Sequence, residues 1–346
     1  MPSPQLQSFR AGGVVPAHPL ALDRDRKLDE RRQRALTRYY VDAGASGLAV
    51  AVHTTQFEVH EPARGLLAPV LELAATTAAE SRAERPVLVA GVVGPTEQAV
   101  AETELAASLG YDLVLLTPYG TGDLDEDQLL ERARAVGTVL PVIGFYLQPA
   151  VGGRPLSREF WRRLAELPSV IGIKVAPFDR YATLDVVHGV GRSGRADEIA
   201  LYTGNDDNIA GDLVTAYPLA DGGSVRMVGG LLGQWAVWVR RAVQLMELAE
   251  QARGGDDAAL RRVVELDPAI TDANGALFDA SNGFRGSVPG IHEVLRRQGL
   301  LEGVWCLNEN ETLSAGQLEE IDRVWDAYPQ LRDDDFVREN LDRWLS

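Results

Sequence analysis

Eight short apolar runs recur along the chain, separated by longer stretches rich in Ala, Leu, Glu and Arg, and this beat constrains the fold more than any single residue. The runs are 12–17, 47–53, 86–92, 112–117, 141–146, 170–176, 198–203 and 223–228. Near-continuous apolar runs of this length fit strands covered on both faces, as in a parallel sheet. Residues 28–43, 62–83, 96–109, 125–136 and 158–166 are long enough for crossover helices. The pattern predicts an α/β fold, a (β/α)8 TIM barrel rather than an open doubly wound sheet. No GxGxxG or Walker sequence follows the first run. From 235 onward the pattern is helical, over 235–253, 257–264, 289–298, 315–328 and 335–344. Residues 1–233 are therefore expected to form the barrel core, and 234–346 the eighth barrel helix with a C-terminal helical appendage.

Charge and composition exclude several functions. The net charge of -16 argues against nucleic acid or an anionic membrane surface as partner, since both reward a basic face. No run is apolar enough to span a membrane, and MPSPQLQSFRAGG lacks the apolar centre of a signal peptide, so a cytoplasmic location is expected. Cys306 is the only cysteine, which excludes intrachain disulfides. The five histidines are scattered, so no metal site is expected.

Of the 34 basic residues, only Lys27 and Lys174 are lysine. Lys174 stands near the C-terminal end of the run VIGIKVA, in which every other residue is apolar or glycine. An amine taken out of water loses the solvation that favours its charged form, and the neutral amine can condense with a ketone. Arginine cannot do this, because guanidinium stays protonated. The plainer alternative is a lysine that snorkels to solvent or pairs with a carboxylate. Period-two alternation places Val170, Gly172 and Lys174 on one face; if that face is inward, Gly172 leaves room beneath the amine and Ile171, Ile173 and Val175 pack outward.

In a barrel the loops after the strands share one destination. The polar residues there are His53-Thr54-Thr55, Thr117-Pro118-Tyr119, Tyr146, Lys174 and Thr203-Gly204-Asn205-Asp206. GFYLQPA followed by VIGIKVA resembles the dihydrodipicolinate synthase and N-acetylneuraminate lyase family of class I aldolases, whose pattern is a strand ending in Tyr, Pro three positions on, then an IGIK strand. Tyr146, Pro149 and Lys174 occupy those places. HTTQF, TPYG and YTGNDDN are weaker likenesses to the family's GTTGE, TPYY and glycine-aspartate turn.

The resemblance implies that Lys174 forms an imine with a 2-keto acid and that no separate cofactor is used. Tyr146 would shuttle protons, and Thr54 and Thr55 would bind the carboxylate, Thr55 also relaying protons to Tyr146. Tyr119, Gly204 and Asn205 would line the substrate site, and a homo-oligomer, dimer or tetramer, is expected. The departures are specific. His53 stands where the family has glycine, as a pocket wall, an acid-base group or a structural hydrogen-bonder. Gly120 follows Tyr119 where many members carry a second tyrosine, so the proton relay between subunits is expected to be absent. Val151 replaces an arginine that many synthases carry, with Arg154 three residues further as a substitute. Arg226 is a second candidate anion partner, or the partner of a core carboxylate such as Asp206.

The expected function is a Schiff-base lyase acting on pyruvate or another 2-keto acid. A keto-deoxy-sugar-acid dehydratase would use the same imine, and a non-catalytic keto-acid-binding barrel would use the fold without it. The final helical segment is expected to pack on the barrel or on a partner subunit rather than to act as a lid.

Overall fold

The computed structural model of the protein describes residues 3–80, 85–220 and 222–346. Helix α1 (Pro4–Ala11) precedes β1 (Val14–Pro16), α2 (Glu30–Ala43), β2 (Gly47–Val50), α3 (Leu67–Ala79), β3 (Val87–Val92), α4 (Thr96–Ser108), β4 (Leu113–Leu116) and α5 (Glu126–Val136). Then come β5 (Val142–Leu147), α6 (Arg158–Ala165), β6 (Val170–Ala176), α7 (Arg180–Gly191), β7 (Ala200–Thr203) and a short α8 (Ile209–Val214). A hairpin of β8 (Tyr217–Pro218) and β9 (Ser224–Val225) leads into β10 (Met227–Leu232), the eighth barrel strand. Helices α9 (Val239–Arg253), α10 (Asp257–Leu277), α11 (Ser287–Arg297), α12 (Gln317–Ala327) and α13 (Asp334–Trp344) complete the chain. The expected helix over 62–83 begins later, at Leu67, and its last three positions lie outside the described residues.

The eight strands run parallel in the order β1-β10-β7-β6-β5-β4-β3-β2. The ends meet where Ser46 N–H donates to Val14 O at 2.9 Å and His18 N–H to Ala49 O at 2.8 Å, closing the barrel as expected. Several crossover helices start on side-chain caps: Asp29 accepts from Arg32 N–H, Ser157 from Phe160 N–H and Asp179 from Ala182 N–H. One apolar cluster fills the barrel and a larger one fills the layer between strands and helices. On β5, Ile143, Phe145 and Leu147 point inward, while Val142 and Tyr146 point to the helices.

Three expectations need correction. The eighth strand is Met227–Leu232, not 223–228, because Ser224 and Val225 belong to the hairpin. Its paired glycines disguise it: a Cβ on Gly229 would sit 2.2 Å from Gly13 O, so the strand needs glycine where backbones approach. Arg226 therefore stands at the N-terminal end of the strand, opposite the loops of interest, and donates to Val214 O at 2.9 Å. On β6 the register slips between Val142 and Ile143 of its neighbour, turning Ile171 into the barrel interior beside Gly172. Gly172 makes room for the ring of Phe9, not for the amine, since a Cβ there would lie 2.8 Å from that ring. Phe9 stacks on Tyr202 at 4.6 Å and accepts its hydroxyl at 2.6 Å, so α1, absent from the sequence reading, seals the N-terminal mouth.

The C-terminal helices are integral to the barrel wall. The α10 helix runs past Pro268, where the sequence pattern suggested an end at Val264. Asp333 accepts from Tyr39 hydroxyl at 2.8 Å, Arg240 N–H at 3.1 Å and Gln298 at 2.9 Å. Trp344 is fully buried against Tyr39 and Phe336, donating to Asp42 at 2.6 Å.

Candidate active site

Lys174 extends inward from β6 at the C-terminal mouth of the barrel, into a narrow cavity with about 40 Å³ of space for water-sized atoms. The side chain is 7% exposed and its Nζ lies 4.4 Å from the centre of the Phe145 ring. Gly204, closing β7, lets the lysine pass: a Cβ there would fall 2.8 Å from Lys174 Cε. His53, Thr54, Gln148, Asp206 and Ser287 supply the polar lining beside it. A wider groove between α9 and α10 contains arginines and glutamines and, among the described residues, no nucleophile.

Burial pushes the Lys174 amine down from its ordinary 10.5 to about 8, with the opposing charge of Asp206 limiting the fall. At pH 7 such an amine is neutral in about a tenth of molecules, against roughly one in three thousand for an ordinary lysine. Asp206, which the sequence reading placed at the strand end only as a core carboxylate that Arg226 could pair with, is the partner of the amine. Burial pushes its carboxyl up, partly offset by Gln234 N–H, which donates at 2.9 Å, and by the Lys174 charge. The His53 imidazole is pushed down to about 4, by burial first and then by Lys174, so it is neutral at pH 7.

The predicted residues divide. Lys174, His53, Thr54 and Gly204 meet in the cavity. Tyr146 does not: its ring stacks on Trp161 at 5.0 Å, its hydroxyl bonds the Leu156 backbone, and Phe145 faces Lys174 instead. The reason is the period of two, since Tyr146 aligns with outward Val175 and Phe145 with Lys174. Thr54 and Thr55 hold the expected turn, a 3-10 helix, but their hydroxyls donate to Ala17 O at 2.8 Å and His18 O at 2.6 Å. A hydroxyl has one proton, so neither can donate to a carboxylate without giving up that bond. A Thr55 to Tyr146 relay is not formed.

Asn205 is fully buried and turned away from the cavity. It accepts from Phe178 N–H at 3.1 Å and donates to Thr183 at 3.2 Å and Asp212 at 2.9 Å. It positions the loops after β6 and β7. Tyr119 lies on the rim, 40% exposed, with its ring stacked on Phe57 at 4.2 Å. Gly120 beside it has φ 75° and a missing Cβ only 3.3 Å from Gly94 Cα, so a tyrosine there is strained. Arg154 reaches Gly122 O at 3.4 Å on the surface, outside the cavity. Sequence reasoning missed Ser287, brought in by α11, and the link from Leu307 N–H to Gln56 at 2.6 Å that fastens the HTTQF turn from the C-terminal region.

A sequence model of the dihydrodipicolinate synthetase family matches residues 10–216. The chain belongs to this family. A 4-hydroxy-tetrahydrodipicolinate synthase of Laribacter hongkongensis is 29% identical over 241 residues, covering 69% of this chain and 75% of that protein. An uncharacterised DapA-like lyase of Halobacterium salinarum is 35% identical over 169 residues, about half of each chain (47% and 52%). Among solved structures, the dihydrodipicolinate synthase of Acinetobacter baumannii complexed with pyruvate superposes with a TM-score of 0.72 at 20% identity, over 91% of this chain and 98% of that one. CdNal of Clostridium difficile, in complex with mannosamine, gives 0.71 at 18%, over 92% and 99%. These two show the shared barrel. The family match includes Lys174 and Asp206 and ends before β8, so this dihydrodipicolinate synthetase family member builds its eighth strand and C-terminal wall from residues beyond it.

One test of Tyr146 arises here. Tyr146→Phe is expected to leave reaction at Lys174 within about twofold and to cost roughly 1 kcal/mol of stability, the worth of one hydrogen bond. Borohydride trapping and urea unfolding measure the two effects separately; a hundredfold loss of trapping would return Tyr146 to the reaction.

Proposed function

We propose that the protein is a Schiff-base-forming lyase of the class I aldolase type that acts on a 2-oxo acid through Lys174, with no cofactor beyond the covalent imine. The observation that carries this reading is the buried amine beside a buried carboxyl at the C-terminal mouth of the barrel. Neutral Lys174 attacks the keto carbon to give a carbinolamine. Asp206, its pKa raised by burial, donates a proton to the departing hydroxyl; water leaves and the iminium remains. The iminium then accepts the electron pair of a breaking bond at the neighbouring carbon, either carbon-carbon or carbon-oxygen. Pyruvate in the Acinetobacter baumannii relative supports a 2-oxo acid as the occupant. A homo-oligomer is part of the proposal and is measured by light scattering.

A keto-acid-binding barrel without turnover is the second reading, favoured by Phe145 standing where a hydroxyl would face the amine. Incubation with pyruvate, reduction with borohydride and mass spectrometry of the Lys174 peptide separate the two, because only the first yields a reduced adduct. The rate of adduct formation is expected to peak between about pH 7 and 8 and to fall on either side, because it needs the neutral Lys174 amine and the protonated Asp206 carboxyl together. Asp206→Asn is expected to slow imine formation about a hundredfold. It also removes the fall at higher pH, because the acid that loses its proton there is gone, and leaves a rise with a midpoint below 8, because the carboxylate that holds the proton on Lys174 is gone as well. An unchanged pH profile would separate Asp206 from the amine.

A further inference from the structure

The cavity beyond Lys174 is walled by Phe145, Leu147, Val151, Phe178, Phe278 and Phe284. Among the described residues, Lys174 is the only lysine or arginine that lines it. The two arginines that could have met a distal anion lie elsewhere: Arg154 is on the surface against Gly122, and Arg226 is at the opposite mouth. Asp206 adds a negative group near the amine, so a second carboxylate on the substrate would be buried beside a carboxyl with no cation to compensate it.

Part of this apolar wall is held in strained backbone. Phe178 has φ 53° and Phe284 has φ 66°, a left-handed region that aromatic residues rarely occupy. The first follows β6 and the second precedes α11, yet their rings meet edge to face at 5.5 Å and 76°. Each is pinned through its backbone, Phe178 N–H to Asn205 at 3.1 Å and Phe284 N–H to Asp279 O at 3.0 Å. Both rings stay half-buried and line the cavity instead of sinking into the core.

We infer that the site takes a short 2-oxo acid whose chain beyond the keto carbon is hydrocarbon and carries no second anionic group. This rests on the proposed imine at Lys174. The narrow cavity and its phenyl and aliphatic walls reward an apolar chain by excluding water from it. A second anionic group would lose its hydration there without gaining a cation, and a hydroxylated chain would find polar groups only beside the amine, not along the phenyl and aliphatic walls.

The test uses the full-length protein and borohydride trapping at Lys174, with 2-oxobutanoate and 2-oxopentanoate set against 2-oxopentanedioate, which matches the latter in carbon count. The half-saturating concentration is expected to be at least tenfold lower for the monoacids. Val151→Arg, which places a guanidinium in the half-buried turn after β5, is expected to narrow the gap about tenfold, with Val151→Leu as the control for size. A diacid captured as well as the monoacid of equal length by the unaltered protein would overturn the inference while leaving the imine intact. No adduct with pyruvate or any of the panel would overturn the imine and this inference together.

Discussion

Lys174→Met is expected to abolish the reduced adduct and to lower turnover of any 2-oxo acid substrate by at least about 10³-fold, since among the described residues no other primary amine lines the cavity. Methionine keeps the length of the stem that passes Gly204 but cannot form an imine. The same substitution is expected to leave thermal stability unchanged or slightly higher. A buried amine carries a desolvation cost, and its removal takes away the positive charge that opposes Asp206. Burial already raises the pKa of that carboxyl, and losing the lysine charge raises it further, so Asp206 takes up a proton instead of remaining a stranded anion. Trapping by mass spectrometry and calorimetric melting therefore move independently. A variant that still yields an adduct on another residue would remove Lys174 from the chemistry, whereas a large drop in melting temperature would mean that the amine is a structural ion-pair partner.

Trp344→Ala is expected to have the opposite signature, a loss of about 3–5 kcal/mol in unfolding free energy with the chemistry retained per folded molecule. The indole is fully buried, packs against Tyr39 and Phe336, and donates to Asp42. Its own carbonyl accepts from Arg38 at 2.7 Å, so the last helix is tied to α2 by both side chain and backbone. Tyr39 in turn bonds Asp333, which ties the start of α13 to the same helix. Denaturant unfolding with trapping measured on the folded fraction checks this; loss of trapping at full stability would make α13 part of the reacting site.

The HTTQF turn joins the mouth of the barrel to the C-terminal region. Gln56 adopts a left-handed conformation with φ 71°, in a place where the resemblance has glycine, and Ala51 before the turn has φ 59°. Neither residue is suited to that backbone, and tertiary contacts hold both. Gln56 accepts from Leu307 N–H, and Ala51 O meets the His60 imidazole at 2.9 Å. The C-terminal region thus supports the shape of the turn without supplying a reacting group there.

The alternation of apolar runs and helical stretches determined the barrel from the sequence, because each strand is buried on both faces and each crossover must return the chain to the same edge. It also determined that Lys174 stands near the C-terminal end of β6, since a lone amine in an apolar run has few places to go. The facing of side chains at the end of β5 was decided only in three dimensions. Tyr146 and Phe145 are adjacent, and a period of two sends one to the amine and the other to Trp161 according to a register that depends on the neighbouring strand. Asn205 and Asp206 likewise share one turn, but Asp212 and Thr183 draw the first into the loop scaffold while the second remains beside Lys174. Arg226 and Arg154 had suitable chemistry and lost their candidacy through position, one at the wrong mouth and one on the surface. Sequence spacing fixes which residues reach a strand end; which of them faces the cavity depends on strand pairing and on buried polar groups finding partners, and both are properties of the assembled barrel.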